Sequence, residues 1–185
     1  MSDNDKRVPD HFNPLFSTEA IHEAVLNIAH AITPWVNNIT ESTGKPPLAL
    51  CILRGGVFFY ADLLRSIPAS LELAFCRCHS YASEDNTQKG GVTCDFMSTK
   101  VHDRHVLLID DICDTADTLK FMTDKCLDEG AIEVKTAVAL LRKRTPQPFN
   151  PDWKGLIFEG DNWIVGYGME DKNTWANAPA LYTLS

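Results

Sequence analysis

The chain has 185 residues, enough for one domain with a sizeable core, and its hydrophobic share of 44% and charged share of 23% are ordinary for a soluble globular protein. The formal net charge of −8 argues against a general nucleic-acid or membrane-surface binder, since both need a basic surface. No apolar run approaches the ~20 residues that cross a bilayer, so no membrane partner is expected.

The N-terminal part predicts a flexible arm over residues 1–16 and then a long helix. Ser17 is a suitable N-cap, and Glu19 falls in the first helical turn. Apolar residues follow at helical spacing, at Ile21, Val25, Ile28 and Ile32. Pro34 falls late in this pattern and leaves the end of the helix open.

Strand and helix patterns then alternate along the chain. The glycine pair Gly55-Gly56 predicts a tight turn between a strand and a helix, and such a pair also lets the backbone approach an anion. The predicted elements are strands over 48–53, 71–81, 105–109 and 134–141, helices over 57–67 and about 115–129, and short strands over 163–167 and 180–184. Strands that alternate with helices predict an α/β fold, a mostly parallel twisted sheet flanked by helices.

The polar stretch over residues 82–100, ASEDNTQKGGVTCDFMSTK, shows little periodicity. Loops of this length are uncommon unless they are functional lids or disordered segments. The residues alone leave both open: a mobile lid over an active site, or a disordered segment.

The segment VLLIDDICDTADTL carries the most chemistry. Asp110 and Asp111 fall at the carboxyl end of a predicted strand, where ligands of parallel sheets bind. Residues 114–118 form the turn into the next helix, and a helix N-terminus with nearby hydroxyls is suited to a phosphate. The two acids would repel a phosphate but suit sugar hydroxyls or Mg²⁺. Together these features predict a site for a sugar phosphate.

Simpler interpretations exist for each of these features. Asp114 or Thr115 could merely cap the helix, with the other acids solvated. Lys143, in the basic run RKR, could lie on a solvated face, and Trp163 could be a core residue. The glycine pair could be only a turn. His102 and His105 have HxxH spacing, but no third metal ligand is evident.

Six cysteines occur, at positions 51, 76, 78, 94, 113 and 126, and none forms a CxxC pair. Several fall in apolar stretches, where a reduced cysteine behaves as a small hydrophobe. A reducing, cytoplasmic location is therefore favoured over a disulfide framework. The polar and acidic N-terminus does not resemble a secretory signal.

The acidic segment resembles the signature of type I phosphoribosyltransferases, which use phosphoribosyl pyrophosphate (PRPP). The resemblance extends over roughly residues 48–175: LCILRGGVFFYADLLRSI, LLRKRTP and WIVGYGMED are similar to segments of the hypoxanthine-guanine branch. It implies a single phosphoribosyltransferase domain, 1–185, with a small hood formed by the terminal segments. The implied activity is purine salvage, in which hypoxanthine or guanine and PRPP give IMP or GMP and pyrophosphate, with Mg²⁺ as cofactor.

The resemblance also implies residue roles on the sugar side. Asp110 and Asp111 would hold the ribose hydroxyls, directly or through Mg²⁺, and Glu170 would lie near a second metal. The 5′-phosphate would be wrapped by Thr115, Ala116, Asp117 and Thr118. The pyrophosphate loop would be Leu53, Arg54 and Gly55, where the family often has a non-proline cis peptide.

On the base side, the resemblance implies that Asp114 lies near purine N7 as general base or hydrogen-bond partner. Lys143 would face the 6-oxo group, Trp163 would stack on the ring, and Ile164 and Met169 would offer backbone contacts. Ser80 and Tyr81 would open the lid. A homo-oligomer, a dimer or tetramer, is likewise an expectation from the family.

Four positions depart from the family pattern. Ala116 replaces a usual glycine, which is tolerable if its φ is negative. Arg54 replaces a frequent lysine, and Glu170 replaces an aspartate. Ala176 stands where an arginine commonly helps to bind pyrophosphate, so Arg54 or Lys89 would have to substitute.

Two other functions therefore stay open. A PRPP- or nucleotide-sensing regulator would keep the fold with weak or no turnover, and Ala176 is its main support. A phosphoribosyltransferase for another base is disfavoured by Lys143 and Trp163. The sequence does not rank hypoxanthine, guanine and xanthine.

Overall fold

Nine strands and three helices are described in this computed structural model, which covers residues 8–81 and 91–184. In chain order they are β1 (Phe12–Phe16), α1 (Thr18–Thr43), β2 (Leu48–Leu53), α2 (Val57–Ser66), β3 (Glu72–Tyr81), β4 (Gly91–Asp95), β5 (His105–Cys113), α3 (Asp117–Asp128), β6 (Glu133–Arg142), β7 (Trp153–Phe158), β8 (Trp163–Val165) and β9 (Leu181–Leu184).

Six of these strands form the central sheet, in the order β4-β3-β2-β5-β6-β7. Every pair is parallel except β3 with β4, which is antiparallel. The apolar run of β2 is buried nearly throughout, as expected for a strand covered on both faces. The predicted α/β fold with a mostly parallel sheet is confirmed.

Helices cover both faces of this sheet, because alternate residues of each strand point to opposite sides. Ala49, Leu107 and Ala137 share one apolar cluster with α1 and α2. Leu50 and Leu108 share the other with α3. No helix in the described part of the chain combines the length and hydropathy needed to span a membrane.

Helix α1 begins where the sequence predicts, since Ser17 accepts a hydrogen bond from Ala20 N at 3.3 Å. It then continues through Pro34 and ends at Gly44, which has φ of 72°. Its far half packs on the sheet edge, where the rings of Trp35 and Trp153 lie 5.9 Å apart. Tertiary packing therefore carries the helix past its proline.

The remaining strands form a small second sheet, β1-β9-β8, which is the predicted hood of terminal segments. The predicted flexible arm over 1–16 is therefore wrong for residues 12–16, while 1–7 lie outside the described residues. Phe12 is buried against Trp175 and Tyr182, at ring distances of 5.6 and 5.9 Å. The pairing of β1 with the other end of the chain is a nonlocal contact that local patterns do not indicate.

The predicted loop over 82–100 is wrong for residues 91–95, which form β4. Backbone hydrogen bonds to β3 order these residues, although their polar sequence does not predict a strand. Ser80 and Tyr81 are the last two residues of β3, opposite Val92 and Gly91. Residues 82–90, with Lys89, lie outside the described residues.

The turn before α3 also differs from the sequence prediction. β5 extends through both acids to Cys113, and α3 begins at Asp117 rather than near Thr115. The N-cap is Ala116 with φ of 72°, so the negative φ that would make this residue tolerable is absent. The left-handed region costs an L-residue with a Cβ roughly 1–2 kcal/mol.

Ala116→Gly should accordingly raise the free energy of unfolding by up to about 1 kcal/mol, since glycine adopts positive φ without steric penalty. Urea unfolding followed by circular dichroism measures the change. Ala31→Gly is the matched control: Ala31 is exposed inside α1, where the same substitution should destabilise by about 1 kcal/mol. Equal destabilisation by both would contradict the strain assigned to position 116.

Candidate active site

A cavity of about 470 Å³ opens between the hood and the carboxyl ends of the parallel strands. This is the edge at which parallel α/β sheets bind ligands. Nine residues that the sequence predicted for a site line it: Leu53, Arg54, Gly55, Asp111, Asp114, Trp163, Ile164, Met169 and Glu170. It is also lined by Arg77, Cys78, Ile112, Arg142 and Gly168, which the sequence did not single out.

The wall of the cavity depends on two glycines. A Cβ on Gly55 would lie 2.2 Å from Asp111 Oδ2, and a Cβ on Gly168 would lie 2.1 Å from the carbonyl oxygen of Gly55. The β2–α2 turn, the end of β5 and the hood loop therefore meet at backbone distance. The Leu53–Arg54 peptide bond is cis, as the resemblance led us to expect.

Asp110 and Asp111 are buried side by side, with 7% and 8% of their surface exposed. Asp110 Oδ1 accepts a hydrogen bond from Asp111 N at 3.0 Å, and Asp111 Oδ1 accepts one from Ile112 N at 2.9 Å. Burial raises the pKa of Asp110 well above its usual value, and the Asp111 carboxylate raises it further. Burial likewise raises the pKa of Asp111, with a smaller contribution from Glu170.

These carboxylates suit Mg²⁺, because they are hard oxygen donors whose buried negative charge a divalent cation would offset. Asp110, Asp111 and Glu170 do not come close enough together to hold one ion between them among the described residues. Mg²⁺ is usually held by one or two carboxylates together with substrate oxygens and water. The donor set fits an ion that a phosphorylated ligand helps to hold.

Asp114 faces two guanidinium groups instead of capping the helix. Its Oδ2 lies 3.1 Å from Arg142 Nε, and its Oδ1 accepts a hydrogen bond from Arg144. Arg144 Nε also donates to the Asp114 carbonyl oxygen at 3.2 Å. The N-cap, Ala116, has no side-chain cap, so the helix-capping interpretation of Asp114 and Thr115 is wrong.

The residues predicted to wrap a phosphate, Thr115 to Thr118, lie at the N-terminus of α3 and outside the cavity lining. The first turn of a helix has N–H groups without intrahelical acceptors, so this end can still bind an anion beside the cavity.

Lys143, predicted in the purine site, does not line the cavity. Its Nζ lies 2.5 Å from Glu159 Oε1, in a separate surface depression, and its side chain is 56% exposed. Arg142 lines the cavity in its place, as the last residue of β6. Because successive strand residues point to opposite faces, only one of the two neighbours can face the site.

The guanidinium of Arg142 is buried and held on several sides. It donates to the carbonyl oxygens of Gly160 and, at 3.1 Å, of Asn162, and it lies 5.1 Å above the ring of Phe158. Its Nε, although 3.1 Å from the Asp114 carboxylate, has no hydrogen-bond partner in the described residues. Arg142 therefore places a buried positive charge, ion-paired with Asp114, in the cavity wall.

Trp163 is 59% exposed, so its interpretation as a core residue is wrong. Its Nε1 donates to the carbonyl oxygen of Glu170 at 3.1 Å, which fixes the indole at the cavity rim. Ile164 and Met169 are buried behind it. An exposed aromatic face beside buried apolar residues is suited to a planar ring.

Arg54 contacts the loop that contains Ala176. It donates from Nη2 to Glu170 Oε1 and to Asn173 Oδ1, both at 3.1 Å. Ala176 itself contributes only its carbonyl oxygen, which accepts a hydrogen bond from Gly168 N at 2.9 Å. Arg54, one of the two substitutes considered for the absent arginine, lies in the cavity wall. The other, Lys89, lies outside the described residues.

Two of the cavity-lining residues that the sequence analysis missed could have been predicted from their position at a strand end. Arg77 and Cys78 fall near the carboxyl end of β3, beside β2, and strands of one parallel sheet end at a common edge. The two histidines of the HxxH pair contact different acids: His102 lies 3.0 Å from Asp103, and His105 lies 3.3 Å from Glu133.

A model of the phosphoribosyl transferase domain matches residues 17–172. The chain belongs to the phosphoribosyltransferase family. Among its relatives, a hypoxanthine-guanine phosphoribosyltransferase of Lactococcus lactis is 30% identical over 171 residues, covering 92% of this chain and 89% of the relative. The hypoxanthine-guanine-xanthine phosphoribosyltransferase of Tritrichomonas foetus is 26% identical over 169 residues, covering 90% and 88%.

Solved structures agree on the fold of this phosphoribosyltransferase. A hypoxanthine phosphoribosyltransferase of Trypanosoma cruzi, solved in complex with its product IMP, superposes with a TM-score of 0.81 at 23% identity and covers 97% of this chain and 94% of that one. A hypoxanthine phosphoribosyltransferase of Staphylococcus aureus gives a TM-score of 0.79 at 24% identity, covering 94% and 91%.

The buried acid pair predicts a pH-dependent stability. A carboxyl whose pKa is raised on folding stabilises the fold below its unfolded value of about 3.8, and this stabilisation is lost as the pH rises through the folded value. Asp110→Asn should thus raise the melting temperature at pH 7 without added metal. We expect at least ~2–4 °C, the shift that ~1 kcal/mol gives at this chain length.

Thermal unfolding measured from pH 3 to pH 8 would show the advantage of Asp110→Asn shrinking toward the acid end. Asp124→Asn, on the exposed face of α3, is the control and should change stability by less than about 0.5 kcal/mol. An Asp110→Asn variant no more stable than the parent at pH 7 would contradict the assigned burial penalty.

Proposed function

We propose that this phosphoribosyltransferase is a purine salvage enzyme that transfers the 5-phosphoribosyl group from PRPP to a 6-oxopurine, hypoxanthine or guanine, and releases pyrophosphate. The observation that carries the proposal is the joint placement of Asp111, Asp114, Trp163 and a buried cation around one cavity. The names of its relatives support the same substrates.

For the purine ring, we propose stacking on Trp163, with backbone contacts from Ile164 and Met169. Asp114 would lie near N7. The cation facing the 6-oxo group would be Arg142, since it lines the cavity and Lys143 does not. A guanidinium donates but cannot accept, so it suits a 6-oxo group and not the 6-amino group of adenine.

For PRPP, we propose that Asp110 and Asp111 hold the ribose hydroxyls, with Thr115, Ala116, Asp117 and Thr118 around the 5′-phosphate. Leu53, Arg54 and Gly55 would bind the pyrophosphate. Mg²⁺ would be bound near Asp110, Asp111 and Glu170, where it would neutralise the negative charge that builds up on the departing pyrophosphate.

During transfer, the bond between C1′ and pyrophosphate breaks while purine N9 bonds to C1′. The purine then loses its imidazole proton. In the proposed pose, Asp114 accepts a hydrogen bond from N7–H that strengthens as positive charge develops on the ring. Arg142 and Arg144 hold the carboxylate in place through their ion pairs.

A cytoplasmic location is part of the proposal, supported by the free thiols of all six cysteines. A homo-oligomer is proposed from the family resemblance. The alternative of a sensor with weak turnover rests on Ala176, and Arg54 in the cavity wall counts against it.

The decisive assay incubates the protein with PRPP, Mg²⁺ and, separately, hypoxanthine, guanine, xanthine, adenine and uracil, and measures nucleotide and pyrophosphate. We expect turnover with hypoxanthine or guanine that disappears when EDTA removes the metal. PRPP binding by calorimetry without turnover on any base would favour the sensor.

Arg142 and Lys143 provide a matched test of the base site. Arg142→Gln should lower kcat/KM for hypoxanthine by about 10–100-fold, the range for one charged hydrogen bond. Lys143→Gln should stay within about threefold, since its Nζ lies beside Glu159 outside the cavity. Steady-state kinetics, with circular dichroism to check folding, measures both. A larger loss of kcat/KM in Lys143→Gln than in Arg142→Gln would instead assign the contact with the 6-oxo group to Lys143.

Asp114→Asn should lower kcat by at least ~10²-fold while the Kd for PRPP changes little, because the amide keeps the shape but loses the charge that N7–H faces. Single-turnover kinetics and calorimetry separate the two effects. Asp117→Asn, exposed in the first turn of α3, controls for the loss of one acid near the phosphate site. Near-normal turnover by folded Asp114→Asn would remove this residue from catalysis.

A further inference from the structure

Three thiols converge on one face of the β3–β4 hairpin. Cys76 and Cys78 are two residues apart on β3, so they share a face, and Cys94 is the cross-strand partner of Cys78. The three Sγ atoms all lie within 4.8 Å of one another. Among the described residues, no other three His, Cys, Asp or Glu side chains bring their ligand atoms this close together.

The accessibility of the three thiols is graded. Cys76 is fully buried in the apolar cluster beneath α3, while Cys78 and Cys94 are half-buried. Cys78 also lines the active-site cavity. A metal ion could therefore reach the three thiols from the active-site cavity, past Cys78. The buried Cys76 sulfur would set how deeply the ion binds.

The spacing suits a thiolate-bound metal. Zn²⁺ binds cysteine sulfur at ~2.3 Å in tetrahedral geometry, which places bound sulfurs about 3.8 Å apart. Sulfurs already within 4.8 Å reach that separation by small side-chain rotations. A disulfide would join only two of the three, whereas a metal uses them all.

Charge favours a divalent ion over a monovalent one. Asp110 lies close enough to Cys78, and Asp95 to Cys94, to act on them electrostatically, and Lys125 opposes this at Cys94. Three thiolates with Zn²⁺ leave a net charge of about −1, whereas Cu⁺ would leave about −2 beside the same acids.

We propose that Cys76, Cys78 and Cys94 form a zinc site with three thiolate ligands and a fourth position open to water. Three Zn–S bonds form, three S–H bonds break, and the three protons pass to the buffer without any change of oxidation state. The site would fasten β4 to β3, the strand with which it pairs in the described sheet.

The test uses the full-length, reduced protein after treatment with a chelator, and it does not depend on phosphoribosyl transfer. Zn²⁺ is titrated in competition with a chromophoric chelator, and Co²⁺ is then used as a spectroscopic probe. We expect one equivalent of Zn²⁺, and intense sulfur-to-cobalt charge-transfer absorption in the near ultraviolet.

Cys94→Ser should weaken Zn²⁺ binding by at least ~100-fold, more than the loss of an outer-shell contact gives. Cys126→Ala, a buried thiol of α3 outside the group, should bind as the parent does. Should Cys76→Ser perturb folding, Cys94→Ser and Cys78→Ser carry the result, since both residues are half-buried.

Three outcomes would overturn the proposal: no stoichiometric Zn²⁺ site, cobalt binding without sulfur charge transfer, or undiminished affinity in Cys94→Ser. A mass lower by two hydrogens in air, absent from Cys94→Ser and found with no metal bound, would also overturn it and would assign Cys94 to a disulfide instead.

Discussion

The contact between the Asp111 carboxylate and the backbone of Gly55 holds the active-site cavity together. No side chain fits between them, since an added Cβ would lie 2.2 Å from Oδ2, and Gly168 closes against the same turn. Because all three segments meet without intervening side chains, the acid pair at the end of β5, the cis peptide turn and the hood loop keep fixed relative positions. The cavity keeps its shape because Gly55, Asp111 and Gly168 pack so closely.

That arrangement segregates charge. Two buried acids lie on the sheet side of the site: Asp111 lines the cavity, and Asp110, its neighbour in β5, lies outside the lining. Burial raises the pKa of both. Guanidinium groups face Asp114 on the other side. Arg142 also donates to the carbonyl oxygens of Gly160 and Asn162, immediately before β8. One arginine thus connects the end of the parallel sheet to the segment that carries the aromatic rim.

How much the sequence predicts depends on how local the cause is. β2 matches its predicted range, and β6 extends its prediction by one residue at each end, because β2 is a contiguous apolar run and β6 contains another over residues 137–141. β1, β4 and β7 were missed. The order of β1 and β4 comes from pairing with distant or antiparallel strands, and β7 is an edge strand that pairs with β6. The acidic motif located the site because its residues are consecutive. The choice between Arg142 and Lys143 depends on the phase of a strand end, which sequence spacing does not determine.

The placement of Trp163 has an optical consequence. Its indole is exposed at the cavity rim, whereas Trp35 and Trp153 pack against each other at the α1–β7 edge and Trp175 lies in the hood cluster. A planar ligand that covers Trp163 would change the emission of this fluorophore and leave the packed pair in its own surroundings. The molecule therefore contains an intrinsic fluorescent reporter of the state of its base site, and the other three tryptophans supply the background emission.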